Sequence, residues 1–217
     1  MPKNRRSLDP LRKAPSQERA LRTVETLFEA ATRILEKEGE DGFTTNHIAE
    51  RAGYSVGTLY QYFPSKQAIV VAMVRRRRER VMREIAALMA RAARGECTPE
   101  EVVRLYVRSL LDAFGRGRSV QRILARLGWK FDAHELIAQT MDEGSAGVRT
   151  LIGQLDDPHW PPPDDPTLYA LARGLTWAIR SASIEDNPVT DDPRFEDALV
   201  RMVAGALRRP ASRSADA

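Results

Sequence analysis

The sequence contains few cysteine, histidine or aromatic residues. Cys97 is its single cysteine, and its three histidines, His47, His134 and His159, are far apart in the chain. A single thiol excludes an intramolecular disulfide and a cysteine-rich zinc site, and the histidines lack metal-ligand spacing. A glycine-rich phosphate-binding loop is also missing. We therefore expect no enzyme, no metal and no cofactor.

Long apolar runs are missing as well. The longest, from Ala68 to Val74, is far shorter than the ~20 residues that cross a bilayer. The basic N-terminal residues are not followed by an apolar stretch, so no secretory signal is predicted. Together with the lone cysteine, these absences predict a cytoplasmic protein with no membrane partner.

Strand patterns are nearly absent, whereas helical spacing is common. Apolar residues three or four apart between Leu21 and Leu35 predict a first helix near 17–38, with Ser16 as its N-cap and Gly39 as its terminator. Two short helices follow, the second near 56–62. Further helices are predicted near 66–93, 99–114, 119–128, 133–154, 166–185 and 192–208. The fold class is therefore all-α, with about nine helices.

The pattern divides the chain into four parts. A basic flexible tail at 1–15 precedes a small helical domain at 16–66, a larger helical domain at 67–209 and a flexible tail at 210–217. Residues 1–100 contain 19 Lys and Arg against 13 Asp and Glu, whereas residues 101–217 contain 15 against 17. This basic first half favours a polyanionic partner for that half alone, although a chance fluctuation in surface charge would give the same numbers.

Four consecutive arginines, Arg75–Arg78, stand on the long helix near 66–93. Successive helical residues point about 100° apart, so the four cannot share one face. At most one or two could face a polyanion. We expect a solvated face on which the arginines pair with Glu79 and Glu84.

The segment 44–66, TTNHIAERAGYSVGTLYQYFPSK, carries the strongest functional signal. It predicts two short helices joined by a tight turn at Gly53, where glycine tolerates a positive φ. The apolar residues Ile48, Ala52, Leu59 and Phe63 can form a core with the first helix. The other side chains are then left on or near the outer side of the second short helix: Ser55, Val56, Gly57, Thr58, Tyr60, Gln61 and Tyr62.

These outer residues have the chemistry of a surface that contacts the DNA major groove. Thr58 and Gln61 can hydrogen-bond to base edges or phosphates, and Val56 offers methyl groups to thymine. Gly57 lets the backbone approach closely. Phosphate contacts are expected from Tyr60, Tyr62, Thr44, Thr45 and Lys66. The alternative is an ordinary helical hairpin with exposed tyrosines.

Residues 17–66 closely resemble the N-terminal domain of TetR/AcrR-type regulators. The resemblance lies in G-F-T-T-x-x-I-A at Gly42–Ala49, A-G-Y-S-x-G-T-L-Y-x-Y-F at Ala52–Phe63, and S-K at Ser65–Lys66. It implies that Val56, Gly57 and Thr58 begin a recognition helix, that Tyr60, Gln61 and Tyr62 face the groove wall, and that Thr44, Thr45 and Lys66 hold the DNA backbone. Asn46 and His47 stand where the family varies, so His47 is either a phosphate contact or a solvated side chain.

The two last helices carry wide apolar faces. Their stripes consist of Leu168, Leu171, Leu175 and Ile179 in one helix and Phe195, Leu199, Met202 and Val203 in the other. Such faces can pack inward or against a second subunit. The resemblance implies a homodimer in which these helices and their mates form a four-helix interface, and two heads would then bind half-sites ~34–36 Å apart.

An effector pocket is expected in the larger domain. Large aromatic side chains with a few polar groups could line it: Phe114, Trp129, His134, Met141, Tyr169, Trp177 and Arg180. Each of them taken singly could instead be core. The resemblance implies a repressor that binds pseudo-palindromic, double-stranded operator DNA and is released by a small-molecule effector. An architectural DNA-binding protein without a ligand explains the N-terminal domain equally well, but not the additional helices.

Overall fold

The computed structural model describes residues 18–117, 119–131, 134–154 and 157–208, with the side chains of Ser119 and His134 outside the description. The described residues form nine α-helices, one 3₁₀ helix and no strand. The α-helices are α1 Glu18–Glu38, α2 Thr45–Arg51, α3 Val56–Tyr62, α4 Lys66–Ala93, α5 Pro99–Phe114, α6 Ser119–Lys130, α7 His134–Gln154, α8 Asp165–Ile184 and α9 Pro193–Leu207. The all-α prediction is confirmed, and the 3₁₀ helix Pro188–Asp191 adds structure to a segment expected to be a turn. The tails predicted at 1–15 and 210–217 lie outside the described residues.

The first three helices, which we call the head, share one core with the start of α4. Leu27, Ile34, Ile48, Leu59 and Phe63 are fully buried there. The same cluster continues into α6 through its buried side chains, Val120, Ile123, Leu124 and Leu127. The head is therefore packed on two helices of the larger domain rather than on α4 alone.

Helices α5, α7, α8 and α9 form a second core, which we call the bundle. Val107, Leu111, Leu175 and Ile179 are buried in it, and Trp160 covers it from the loop before α8. Helix α4 has 28 residues, and a helix of that length extends about 42 Å. Its first turns lie in the head core and its last turns pack Leu88 and Ala92 against α5 and α7. One continuous helix thus joins the head to the bundle.

The arginine run on α4 ties it to three other helices. Arg76 pairs with Glu25 of α1, its Nη2 lying 2.6 Å from Oε1. Arg77 donates to the carbonyls of Asp112 and Ala113 at the end of α5, and Arg78 donates to Thr140 of α7 over 2.9 Å. The expected solvated face is thus corrected, because the partners come from helices that the sequence pattern could not bring together. Glu84 pairs with Arg80, which lies two positions beyond the run.

Glu196 fastens α9 to α5. Its carboxylate is 6% exposed and lies 2.8 Å from Arg108 Nη2 and 2.7 Å from Arg116 Nη1. Burial raises the pKa of Glu196, but the hydrogen bonds and charges of Arg108 and Arg116 lower it more, so the net pKa is below its ordinary value. The charged form of Glu196 therefore stabilises the contact between these two helices.

The apolar stripes of α8 and α9 face their own protomer, which corrects the expected interface residues. Five of them are buried in the protomer: Leu168, Leu175, Ile179, Leu199 and Val203. Leu171 and Phe195 are partly buried against the bundle core, and only Met202 is exposed, at 42%. The stripes are covered because α5 and α7 pack on the same faces. The outward faces of the two helices instead present Tyr169, Gly174 and Trp177, and Ala198, Met202 and Gly205.

Candidate nucleic-acid interface

Three hydroxyl side chains fix the starts of α2, α3 and α4. Thr44, Ser55 and Ser65 are their N-caps and accept backbone N–H hydrogen bonds over 3.2, 3.1 and 3.2 Å. Each cap satisfies a backbone donor that the first turn of a helix leaves unpaired. Gly53 has a φ of +74° and allows the sharp turn between α2 and α3. Short-range contacts therefore set the angle at which α3 leaves α2.

The side of α2 and α3 that faces α1 is apolar and buried. Ile48, Leu59 and Phe63 are fully buried, and Phe63 packs on Phe28 of α1 with ring centroids 5.5 Å apart. Val56 and Tyr62, expected on the outer surface, are partly buried and pack against the same core. Their side chains therefore help to hold α3 on this core.

The outer face of α3 is polar and carries no ionised group. Gly57 and Gln61 are exposed, Tyr60 is 41% exposed and Thr58 is partly exposed. The hydroxyls of Tyr60 and Thr45 are 3.3 Å apart, which links α3 to the first turn of α2. Thr44, Asn46 and Lys66 are exposed around this face. No Asp or Glu occurs in Val56–Tyr62, so nothing in the helix itself repels a phosphate group.

Gly57 is not required by the packing of the protein itself. A Cβ at this position would meet only Ser55 Oγ, at 3.7 Å, and φ is not positive. Glycine within a helix is less stable than alanine by about 0.5–1 kcal/mol. The missing side chain leaves bare backbone on the outer face, which another molecule could approach closely.

His47 is engaged by its own chain. Its Nδ1 lies 3.1 Å from the carbonyl oxygen of Gly42 and 3.4 Å from a carboxylate oxygen of Glu38. These contacts orient the imidazole towards the end of α1. They give the ring a role in joining α1 to α2, beside the two alternatives left open by the sequence.

Two apolar cavities lie in the larger domain, and their walls differ from the expected set. The larger, about 100 Å³, lies among α4, α5, α6, α7 and α8, and the smaller, about 60 Å³, lies among α4, α5, α7, α8 and α9. Phe114 and Met141 line the larger cavity as expected. Trp129, Tyr169 and Trp177 line neither, because they are 50%, 61% and 46% exposed on the surface. The side chain of His134 lies outside the described residues.

Arg180 is buried, but it lies under the two surface tryptophans. Its guanidinium carbon is 4.2 Å from the ring centroid of Trp129 and 5.1 Å from that of Trp177. Its Nε and Nη2 have no hydrogen-bond partner in the described part of the chain, and burial lowers the pKa of Arg180. The expectation that Arg180 lines the pocket is therefore corrected to a stacked position between α6 and α8.

The sequence pattern missed several residues of the cavity walls. Tyr106, Gln121, Thr140 and Thr176 line the larger cavity together with the arginines Arg77 and Arg78. The sequence could have indicated these residues only as polar positions within the apolar face of a predicted helix. That pattern does not show which helices pack against one another, so it does not predict the cavity wall.

Metal binding and membrane insertion find no support in the described residues. They contain no group of three or more His, Cys, Asp or Glu side chains placed to hold a metal ion. None of the helices described combines the length and the apolar composition that crossing a membrane requires.

The chain is similar to known regulatory proteins in sequence and in fold. A family described as "Bacterial regulatory proteins, tetR family" matches residues 27–73. The HTH-type transcriptional repressor KstR of Mycolicibacterium smegmatis is 29% identical over 198 residues, covering 85% of this chain and 88% of that protein. The nucleoid occlusion factor SlmA of Haemophilus ducreyi is 26% identical over 128 residues, covering 59% and 61%. A solved transcriptional regulator of Rhodococcus sp. Rha1 superposes with a TM-score of 0.62 at 15% identity, covering 85% of this chain and 95% of that one.

The matched segment contains α2, α3 and the caps that position them, so sequence and geometry agree on the same unit. Proteins with this unit are regulators rather than enzymes. Residues 27–73 match the tetR family of bacterial regulatory proteins, and the chain is a DNA-binding transcription regulator.

Proposed function

We propose that the protein is a homodimeric repressor that binds a pseudo-palindromic operator and leaves it when a small molecule enters the larger cavity. The observation that carries the proposal is the outer face of α3, which is uncharged, polar and bare at Gly57, while Leu59 and Phe63 on its inner side are fully buried. The similarity to KstR, a named repressor, supports repression rather than activation.

Side-chain chemistry separates two kinds of DNA contact. Thr58 and Gln61, on the exposed side of α3, are assigned to base edges, which carry the sequence information. Tyr60, Thr45 and Lys66 are assigned to phosphates, which fix the position of the head. Thr44 and Asn46 lie exposed beside them.

A second copy of the chain is the proposed partner of α8 and α9. The described residues include six exposed large apolar or aromatic side chains, and four of them, Trp129, Tyr169, Trp177 and Met202, lie on α6, α8 and α9. A two-fold dimer also supplies the two heads that an operator with two half-sites needs.

Met202→Glu should therefore give a monomer in sedimentation at micromolar concentration. Leu21→Glu, a matched change at another exposed apolar side chain, should leave the dimer intact.

The larger cavity is the proposed effector site because α4 forms part of its wall. Val74, Arg77, Arg78 and Val81 line the cavity, and the first turns of the same helix lie in the head core. A ligand that changes the cavity therefore acts on the helix that supports α3. The coupling needed between DNA and ligand is modest, about 1–3 kcal/mol.

The primary test is selection of bound sites from random double-stranded DNA. We expect the selected sequences to share a motif with two-fold symmetry. A motif without that symmetry, or no motif at all, would refute the proposal.

Thr58→Ala and Gln61→Ala should relax sequence preference at particular positions. Lys66→Ala should weaken binding to all sequences alike and reduce the salt slope by about one. Lys130→Ala, which removes an exposed lysine of α6, is the matched control and should bind as the parent does.

A constitutive or architectural DNA-binding protein without a ligand remains the second candidate. The similarity to SlmA, a nucleoid occlusion factor, favours it. The two candidates differ in the effect of small molecules on an operator complex. Release of the operator by a compound that also raises the melting temperature supports the repressor, whereas release by no member of a broad apolar and amphiphilic panel supports the second candidate.

A further inference from the structure

One side of α6 forms part of the wall of the larger cavity. Gln121, Leu124, Ala125 and Gly128 line the cavity, and their spacing of three, four and seven residues places them on one helical face. Gln121 is the polar one of the four. Its Oε1 is buried and has no hydrogen-bond partner in the described part of the chain. A buried acceptor without a partner is unfavourable, so the wall gains stability from a donor that reaches this oxygen.

The charged groups of the same wall are engaged by the protein itself. Arg78 is ion-paired with Glu143 and donates to the hydroxyl of Thr140. That hydroxyl in turn donates to the carbonyl oxygen of Leu136 over 2.6 Å. Arg77 donates to two backbone carbonyl oxygens at the end of α5. A charged group on a ligand would have to compete with these contacts, and its own burial would be costly.

Tyr106 of α5 separates the larger cavity from the smaller one. It is the one residue of the described chain that lines both of them. Its hydroxyl lies against Gly144 of α7, where a Cβ would be only 2.6 Å from the hydroxyl oxygen. Burial raises the pKa of Tyr106 to about 12, so the hydroxyl is neutral. The larger cavity is therefore bounded on this side by an uncharged aromatic side chain.

We propose that the larger cavity binds an uncharged, compact apolar molecule of about one ring, whose hydroxyl or N–H group donates a hydrogen bond to Gln121 Oε1. This inference rests on the proposed effector site and specifies its class of ligand. The cavity volume of about 100 Å³ agrees with that size, because an apolar cavity of roughly 150 Å³ holds benzene. Apolar side chains such as Val81, Leu110 and Ile137 line the same cavity and favour a hydrocarbon body.

The first experiment is titration calorimetry on the full chain without DNA, using phenol, toluene and benzoate as probes. Phenol and toluene match in shape and in the number of non-hydrogen atoms, but only phenol donates a hydrogen bond. A hydrogen bond strengthens binding by roughly 2- to 12-fold net. We expect phenol to bind at least threefold more tightly than toluene and at least tenfold more tightly than benzoate. Toluene or benzoate binding as tightly as phenol would overturn the inference.

A second pair of probes separates donation from acceptance. The alcohol 1-phenylethanol and the ketone acetophenone have the same number of non-hydrogen atoms, but only the alcohol donates a hydrogen bond. We expect the alcohol to bind at least threefold more tightly, because Oε1 is an acceptor. Equal affinities would overturn the assignment of Oε1 as the group that contacts the ligand.

Gln121→Met removes the acceptor while keeping an unbranched side chain of similar length. A buried hydroxyl without a partner weakens binding by roughly 5- to 150-fold. The ratio of phenol affinity to toluene affinity should therefore fall at least fivefold, whereas Gln154→Met, the same change at an exposed glutamine of α7, should keep the ratio of the parent. Circular dichroism checks folding, and the two pairs of probes on the parent decide the question if Gln121→Met does not fold. An unchanged ratio in a folded Gln121→Met would refute the inference.

Two further variants locate the bound probe. Ala125 lines the larger cavity and Ala172 lines the smaller one. Ala125→Leu should fill the larger cavity and abolish the binding of phenol and toluene, whereas Ala172→Leu should leave both affinities as in the parent. The opposite result would place the ligand in the smaller cavity and refute the inference.

The outcome for DNA is separate. Binding of phenol that depends on Gln121, but without release of the selected operator, would uphold the site for an uncharged donor and refute release by effector. Operator release by charged compounds, together with no preference for phenol over toluene, would uphold the proposed function and refute the site for an uncharged donor.

Discussion

The head and the bundle are both helical, but they fill space differently. In the head, Leu27, Ile48, Leu59 and Phe63 are completely buried, and no residue of α1, α2 or α3 lines either apolar cavity. In the larger domain, the packed helices leave two cavities beside Tyr106. A surface that reads DNA needs fixed geometry, whereas a ligand site needs space. Close packing and its local absence therefore separate the two proposed tasks within one chain.

The largest effect on the free energy of unfolding is expected from truncating a buried leucine to alanine, once in the head and once in the larger domain. Leu59→Ala opens a new cavity in the close-packed head and should destabilise the protein by about 3–5 kcal/mol. Leu110→Ala enlarges a cavity that already exists and should destabilise it by about 2–3 kcal/mol, since fewer contacts are lost. Urea denaturation of both variants measures the difference. Equal losses would mean that the two regions are packed alike.

A smaller effect is expected where the bundle depends on charge. Glu196→Gln leaves Arg108 and Arg116 without their carboxylate and should destabilise the protein by about 1–2 kcal/mol, discounted for the exposed parts of the arginines. Since the pKa of Glu196 is lowered by folding, its contribution is complete above the ordinary value of 4.5 and is lost as the pH falls through the lowered pKa. The melting temperature of the parent should therefore fall more steeply on acidification than the melting temperature of Glu196→Gln. Parallel curves would contradict this role.

A substitution at Gly57 in the head should affect stability and DNA binding in opposite directions. Gly57→Ala should leave the free energy of unfolding unchanged or raise it by about 0.5–1 kcal/mol, because the added Cβ would meet only Ser55 Oγ, at an ordinary contact distance of 3.7 Å. The same change should weaken operator binding at least tenfold, because the added methyl group stands on the face assigned to DNA. Denaturation and a DNA titration of the same sample give both values. Unchanged affinity would remove Gly57 from the interface.

The smallest effect is expected at the contact between the two regions. Arg76 and Glu25 are about half exposed, with side-chain exposures of 51% and 48%. Glu25→Gln should therefore destabilise the protein by only about 0.2–1 kcal/mol, and less at high salt. Denaturation at low and at high salt checks this. A loss above about 2 kcal/mol would show that this pair, rather than the shared apolar core, holds the head on α4.

The family and the helices were predictable because their signals are local. Thr44, Ser55 and Ser65 are capping residues, Gly53 marks a turn, and all of them act within a few positions of themselves in the chain. The expected DNA-contacting residues stay a prediction, although the exposure of Thr58, Tyr60 and Gln61 agrees with it. Val56 and Tyr62 were placed less well, because the periodicity of a seven-residue helix does not fix its edges.

The sequence by itself determined which residues share a helical face, because the period of the α-helix is fixed by the backbone. It did not determine what covers each face. Only the tertiary structure decided that Leu175 and Val203 point into their own protomer, that Trp129 and Trp177 lie on the surface, and that Tyr106 meets Gly144 between two cavities. These outcomes depend on how helices far apart in the chain pack together, and helical periodicity contains no information on that.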